Sequence, residues 1–337
     1  MKGVTCYIYS ILLYLLPLPG NGQSTTWGYQ LILESKNQYD HSDKASSLSS
    51  KTELYPIVTV GNELGGLLNT LQAEGNLTNY NFTKDSVRFT FQELYTRFSW
   101  KDRHHWTIGK KRLDWGTGMI WNPTNFYIQK DPFRTQNRLE GIFLLTYTCL
   151  FNTGSLEVYV FPEKEVENFS YSLKYNYTGE RVDASISFLG HTQKQQQIGY
   201  DISYGGDRFT AYAEGVFRND HSGKRFCPEI VSGASYVFNA SLSARLEYRF
   251  RENDLTLYDP VSVGKHTLYA SAESKDVYDR FNLQVRTFFD LCSNQLIVSP
   301  LFIWKMNNFQ IELSSMIFTH SFAIYNSQTS LLLSCHF

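Results

Sequence analysis

The sequence predicts an all-β chain that closes into a transmembrane, antiparallel, up-and-down β-barrel of 16–18 strands. Three observations lead there: long runs alternate apolar and polar residues, short and long connections alternate between those runs, and the composition is aromatic-rich and charge-poor. Aromatics make up 16% of the 337 residues and charged side chains 19%, against about 25% charged in a typical soluble domain. That balance suits a wall with lipid on one side and water on the other. The formal net charge of −1 gives no electrostatic footprint for nucleic acid.

Residues 1–22 read as a secretory signal peptide. Lys2 supplies the positive end, residues 7–18 form an apolar run too short to span a bilayer as a helix, and Gly20 and Gly22 suit a cleavage site. Residues 23–337 then form a single barrel domain. No later stretch reaches the roughly 18 apolar residues of a membrane helix, so any membrane must be crossed by strands.

The first strand candidates are residues 29–36 and 54–60, separated by a Ser-rich polar run at 37–51 that reads as loop. The next is residues 67–77. If that is the first strand of the barrel the count is sixteen; if the two earlier candidates also pair, it is eighteen, which we favour.

From residue 86 the alternation is clearer. In residues 169–178, Phe169, Tyr171, Leu173, Tyr175 and Tyr177 share one face, with Ser170, Ser172, Lys174, Asn176 and Thr178 on the other. Residues 240–250 set Leu242, Leu246 and Tyr248 against Ser243, Arg245 and Glu247 in the same way. Further runs follow at 265–274, 280–289, 295–304, 308–318 and 328–337. Strands of about 9–11 residues with this two-residue period are the mark of a membrane barrel. Strands of a soluble sandwich are shorter, about 5–6 residues.

The connections agree. Short turns at 178–181, 205–207, 239, 275–279 and 305–307 alternate with longer loops at 191–196, 218–228, 251–264, 290–294 and 319–327, as in barrels with short periplasmic turns and longer outer loops. Two strands break phase. In residues 86–100, Val87, Phe89 and Phe91 share a face while Leu94, Phe98 and Trp100 lie on the other; residues 105–113 shift similarly near Gly109. A one-residue bulge in each is the economical explanation.

Residues 115–140 show neither period. Gly116, Gly118, Pro123 and Pro132 interrupt them, and long irregular segments in compact folds are usually functional. With Trp115, Trp121, Phe126, Tyr127 and Phe133, this loop carries too much apolar area to stay in water. We expect it to fold into the lumen and narrow it. Pore lining and constriction are expected from Arg97, Lys110, Arg112, Trp115, Trp121, Lys130, Asp131, Arg134 and Arg138, and on a later strand from Arg245, Glu247 and Arg249.

The expected function is passive passage of small or polymeric solutes through that lumen, the solute itself being unspecified. The alternative is a non-conducting surface barrel that binds a partner or glycan through its outer loops. The basic stretch Lys101, Arg103, His104, His105, Lys110, Lys111 and Arg112 reads either as a positive wall that lines a pore and focuses anions or as a solvated turn plus ordinary lumen charge; we favour the second, since inward positions elsewhere mix both signs (Asp183, Asp201, Glu214, Glu247, Glu312). His104 and His105, as strand neighbours, point to opposite faces and do not make a metal site. No nucleophile elbow, zinc-protease helix, phosphate loop or paired-cysteine motif occurs, so neither an enzyme nor a cofactor is expected.

Of five cysteines, Cys6 leaves with the signal. Cys149, Cys227, Cys292 and Cys335 have no metal spacing, and no disulfide among them is assigned. Sequons at Asn76, Asn81, Asn168, Asn176 and Asn239 raise a glycosylated secreted protein as a rival. Their number is near chance, and Asn176 falls within a strand.

One stretch carries a resemblance: Gly109-Lys-Lys-Arg-Leu-Asp-Trp115-Gly-Thr-Gly118-Met-Ile-Trp121-Asn122-Pro123-Thr-Asn125. It resembles the motif of a loosely defined group of porin-like Gram-negative outer-membrane barrels, some linked to polysaccharide export. These have Gly-Lys/Arg-Gln near a strand end, then Trp-Gly and Asn-Pro-x-Asp; Lys111 stands here in place of Gln, and Asn125 in place of Asp. The resemblance implies a barrel in the outer-membrane lipid, inserted by assembly machinery that reads the C-terminal aromatic Phe337.

Overall fold

The computed structural model describes residues 24–40, 45–64, 67–80, 88–125, 139–162, 169–191, 196–219, 226–252, 265–277, 280–320 and 323–336. The signal segment 1–22 and Phe337 fall outside these.

Eighteen strands occur among the described residues. The first nine are β1 (Ser24–Asp40), β2 (Ala45–Leu64), β3 (Leu67–Tyr80), β4 (Arg88–Trp100), β5 (His104–Lys111), β6 (Ile142–Phe151), β7 (Gly154–Pro162), β8 (Phe169–Thr178) and β9 (Val182–His191). The rest are β10 (Gln196–Gly205), β11 (Phe209–Asn219), β12 (Phe226–Val237), β13 (Leu242–Arg251), β14 (His266–Val277), β15 (Phe281–Asp290), β16 (Gln295–Met306), β17 (Phe309–His320) and β18 (Ala323–His336). Each pairs antiparallel with its neighbours in sequence, and β1 pairs with both β2 and β18, for example Leu33 opposite Leu333. Closure leaves no sheet edge to be satisfied by lipid.

Burial is inverted relative to a soluble protein. In β8 the residues alternate strictly from Phe169 to Leu173, with Phe169, Tyr171 and Leu173 exposed and Ser170 and Ser172 buried; Tyr175 and Tyr177 are exposed and Lys174 is buried. The pattern recurs around the ring, with Ile186, Ile198, Ile202, Phe217, Leu246, Val285 and Leu313 outside, and Asp201, Glu214, Glu247, Arg249, Arg286 and Glu312 inside. An apolar exterior around a polar interior is unstable in water and stable in a bilayer. The chain therefore spans a membrane by its strands.

The phase break in β4 is a bulge. The β3–β4 ladder shifts between Glu74 and Gly75, pairing Glu74 with Glu93 and Gly75 with Phe91, so that Gln92 is the extra residue. The extra residue separates the faces of Phe91, which is exposed, and Glu93, which is buried in the lumen.

No bulge occurs at Gly109, whose ladders to Tyr95 and Leu144 are continuous. The apparent shift there comes from Lys110, a charge on the outward phase between Leu94 and Phe143.

Three loop expectations are corrected. The polar run 37–51 is mostly strand, since the β1–β2 ladder continues through Tyr39–Ser46 to Asp40–Ala45; serine content does not by itself mark an unpaired backbone. Residues 319–327 are also mostly strand, with a register irregularity between Phe318 and Thr319. Residues 291–294 form a tight turn, with Cys292 N donating to Asp290 Oδ1 at 2.9 Å.

The glycosylation reading also fails at Asn76, which is buried on the inward face and donates to Glu53 at 3.2 Å. Among the described residues Cys149, Cys227 and Cys292 are free thiols.

Candidate functional site

Between β5 and β6 the chain leaves the wall, and residues 113–125 pack against lumen-facing side chains. The base of this excursion is stapled to the β3–β4 bulge. Arg112 lies just past β5 and donates to both oxygens of Glu74 at 2.8 and 3.0 Å; its backbone N–H donates to Glu93 at 2.9 Å. Its Nε also donates to the Leu139 carbonyl, and Gly141 N–H reaches the Gln92 carbonyl at 2.9 Å, so both feet of the loop meet at one point. Burial disfavours the Arg112 cation, but the hydrogen bond and attraction from Glu74 outweigh it and hold its pKa above the ordinary value.

Two tryptophans then seat the segment on two parts of the wall. Trp115 joins Leu113, Leu144 of β6, Tyr159 and Phe161 of β7, and Leu189 of β9. Its ring meets Tyr159 edge-on at 4.9 Å, and Lys174 lies 5.5 Å from its centroid. Trp121 joins Tyr212 of β11, Val231 of β12, Tyr269 of β14, Phe288 of β15 and Ile297 of β16. The Arg249 guanidinium sits over the Trp121 ring at 4.8 Å.

Between the tryptophans, two glutamates hold the main chain. Glu214 of β11 accepts from the N–H groups of Thr117 and Gly118 at 2.9 Å each, from Thr124 N–H at 2.8 Å and from Thr124 Oγ1 at 2.6 Å. Glu247 of β13 accepts from Met119 at 3.0 Å, Trp121 at 2.9 Å and Ile120 at 3.3 Å, and from the Tyr212 hydroxyl. Gly116 has a φ of +85°, and a side chain there would strike the Glu214 carboxylate; one at Gly118 would strike the Trp121 carbonyl.

The segment is also tied to itself and to the wall. Asn122 Nδ2 donates to the Trp115 carbonyl at 3.2 Å, and Asn125 Nδ2 to the Leu113 carbonyl at 3.0 Å. A carboxylate at 125 has no proton to give in that role. Arg218 of β11 donates to the Pro123 carbonyl at 2.6 Å and to Glu229 at 3.1 Å.

The expected lining residues fall into distinct places. Arg97 is on the inward face of β4 and exposed; Arg245 is inward on β13 and half-buried, 3.9 Å from Glu273. Glu247 and Arg249 face inward too, but each is only 1% exposed, sequestered beneath the segment. Arg112, Trp115 and Trp121 hold the segment in place. Lys110 points away from the lumen; its ammonium bonds to the Phe91 carbonyl at 2.7 Å and to Glu140. Lys130, Asp131, Arg134 and Arg138 lie outside the described residues.

Sequence reasoning missed the partners Glu74, Glu93, Tyr159, Tyr212 and Arg218, and read Glu214 only as an inward charge. A buried acid on a strand looks the same in sequence whether it meets water or amides.

No family model and no curated protein matches the chain. Solved structures do. The crystal structure of Pseudomonas aeruginosa OccK11 (OpdR) is similar at a TM-score of 0.69 and 10% identity, covering 93% of this chain and 95% of that one. Pseudomonas aeruginosa OpdO gives 0.69 at 9% identity over 93% and 97%. Acinetobacter baumannii OccAB4 gives 0.65 at 10% identity over 95% and 100%. The fold is that of outer-membrane porin barrels.

Proposed function

We propose that the chain is a passive channel of a Gram-negative outer membrane, admitting small solutes through a lumen narrowed by the loop at 115–140. The observation behind this reading is the docking of residues 113–125 against inward-facing side chains from β6 to β16. A segment held there occupies space that a porin of this strand number otherwise leaves to water. Exposed Arg97 and half-exposed Arg245 line the wetted remainder. The narrowing favours small solutes over polymers. Similar structures include Pseudomonas aeruginosa OpdK crystallised with vanillate, at a TM-score of 0.66 and 10% identity, and a small organic solute is the class we propose here.

Replacing residues 122–136 by a short Gly-Ser bridge is expected to raise single-channel conductance to about double or more, because the narrowest point controls flow. Unchanged conductance in planar bilayers, together with lost surface binding of a partner, would transfer the function to the outer loops instead.

Insertion is proposed to depend on the terminal aromatic. Deleting Phe337 should leave the protein in the periplasm as aggregate or fragments, whereas most terminal residues are dispensable. Full membrane yield of the truncated chain would refute that dependence.

A further inference from the structure

We propose that Glu214 and Glu247 are the positioning residues of the constriction, clamping residues 117–124 by their backbone amides and so setting the bore. The inference rests on the channel reading above and adds to it which wall residues fix the narrowing. Irregular loops usually leave their N–H groups to water. Here five consecutive amides, Thr117 to Trp121, and a sixth at Thr124 all donate to these two carboxylates. Neither carboxylate faces bulk water, with Glu214 at 0% and Glu247 at 1% exposure. Tyr212, which donates to Glu247, stands two residues before Glu214 on β11, so one strand supports both halves of the clamp.

The chemistry requires a carboxylate of this length. Each oxygen of Glu214 takes two bonds: Oε2 from Thr117 and Gly118, and Oε1 from Thr124 twice. Glutamine keeps one of those acceptors and turns the other into an NH2 group facing donors. Aspartate is one methylene shorter and withdraws both oxygens from the amides. Because main-chain groups are gripped, the side chains of Thr117, Met119 and Ile120 are not what the clamp recognises.

The test uses the full chain refolded in lipid, with hydrogen–deuterium exchange over residues 115–125 and single-channel recording on the same variants. Glu214→Gln and Glu247→Gln should each speed exchange of the 117–121 amides by about tenfold or more while strand amides keep wild-type rates. Both should also give larger and noisier open levels. Asp183→Asn, an exposed inward acid near the start of β9, should match wild type in both readouts.

Should a glutamine variant fail to fold, Thr124→Val removes one of the four bonds to Glu214 without touching the wall. It should raise exchange at 117, 118 and 124 by a smaller factor. Wild-type exchange in Glu247→Gln, or in Thr124→Val if that is the variant that folds, overturns the clamp. Faster exchange with unchanged conductance overturns its control of the bore. Faster exchange in a protein whose wild type never conducts leaves the clamp standing and overturns the channel reading.

Discussion

Leu246→Arg is expected to abolish most assembly while Ser243→Arg leaves it intact, although the two positions are three residues apart on β13. Leu246 is 52% exposed on the outward face, midway along the strand. Its cross-strand neighbours Ala234 and Ala270 share that face. A guanidinium there meets hydrocarbon and costs about 2–4 kcal/mol, or roughly 30- to 700-fold in the folded ratio. Ser243 faces the lumen directly opposite Glu273, so an arginine at 243 finds water and a counter-charge. Folded fraction by heat-modifiable gel mobility, followed through a urea titration, reads the difference. Equal folded fractions would count against the assignment of the two faces of β13, and a reversed order would mean that they are the wrong way round.

The same contrast explains what the sequence made legible. Lipid outside and water inside force a two-residue period on every strand between them, so β8 and β13 could be read face by face. Where the alternation lapses, pairing leaves no such mark. The polar end of β1 and the serine-rich start of β2 are hydrogen-bonded strand, and their sequence lacks the alternation that would reveal them. The loop stood out because its glycines, prolines and aromatics fit neither strand nor free coil. Its anchors did not stand out, because Glu214 and Glu247 meet amides up to 128 positions earlier in the chain, and only the closed barrel brings these together. The bulge was legible from the separated faces of Phe91 and Leu94. Its consequence, a Glu93 turned inward to receive the Arg112 amide, needed the register.

Trp121→Ala should both loosen the loop and change what the lumen offers to ions. The indole is buried at 7% exposure, with Phe288 at 6.0 Å and Tyr269 at 6.5 Å between centroids. Truncating a buried tryptophan costs about 3–5 kcal/mol. That loss falls on docking of the segment rather than on the ladders, since the Trp121 amide still donates to Glu247. The barrel should therefore fold.

What changes is Arg249, now 1% exposed beneath the ring. Without the indole, water and solute reach a guanidinium fixed in the wall, and a cation at a narrow point attracts anions. Conductance should rise, and the reversal potential in a salt gradient should move toward anion preference. Trp106→Ala removes an outward ring that lies tilted against Tyr147, 5.4 Å between centroids; it should lower assembly yield with no shift in reversal potential. If Trp121→Ala folds and shows wild-type conductance and selectivity, Trp121 does not shield Arg249 from the conducting path, and the segment it anchors does not form the constriction.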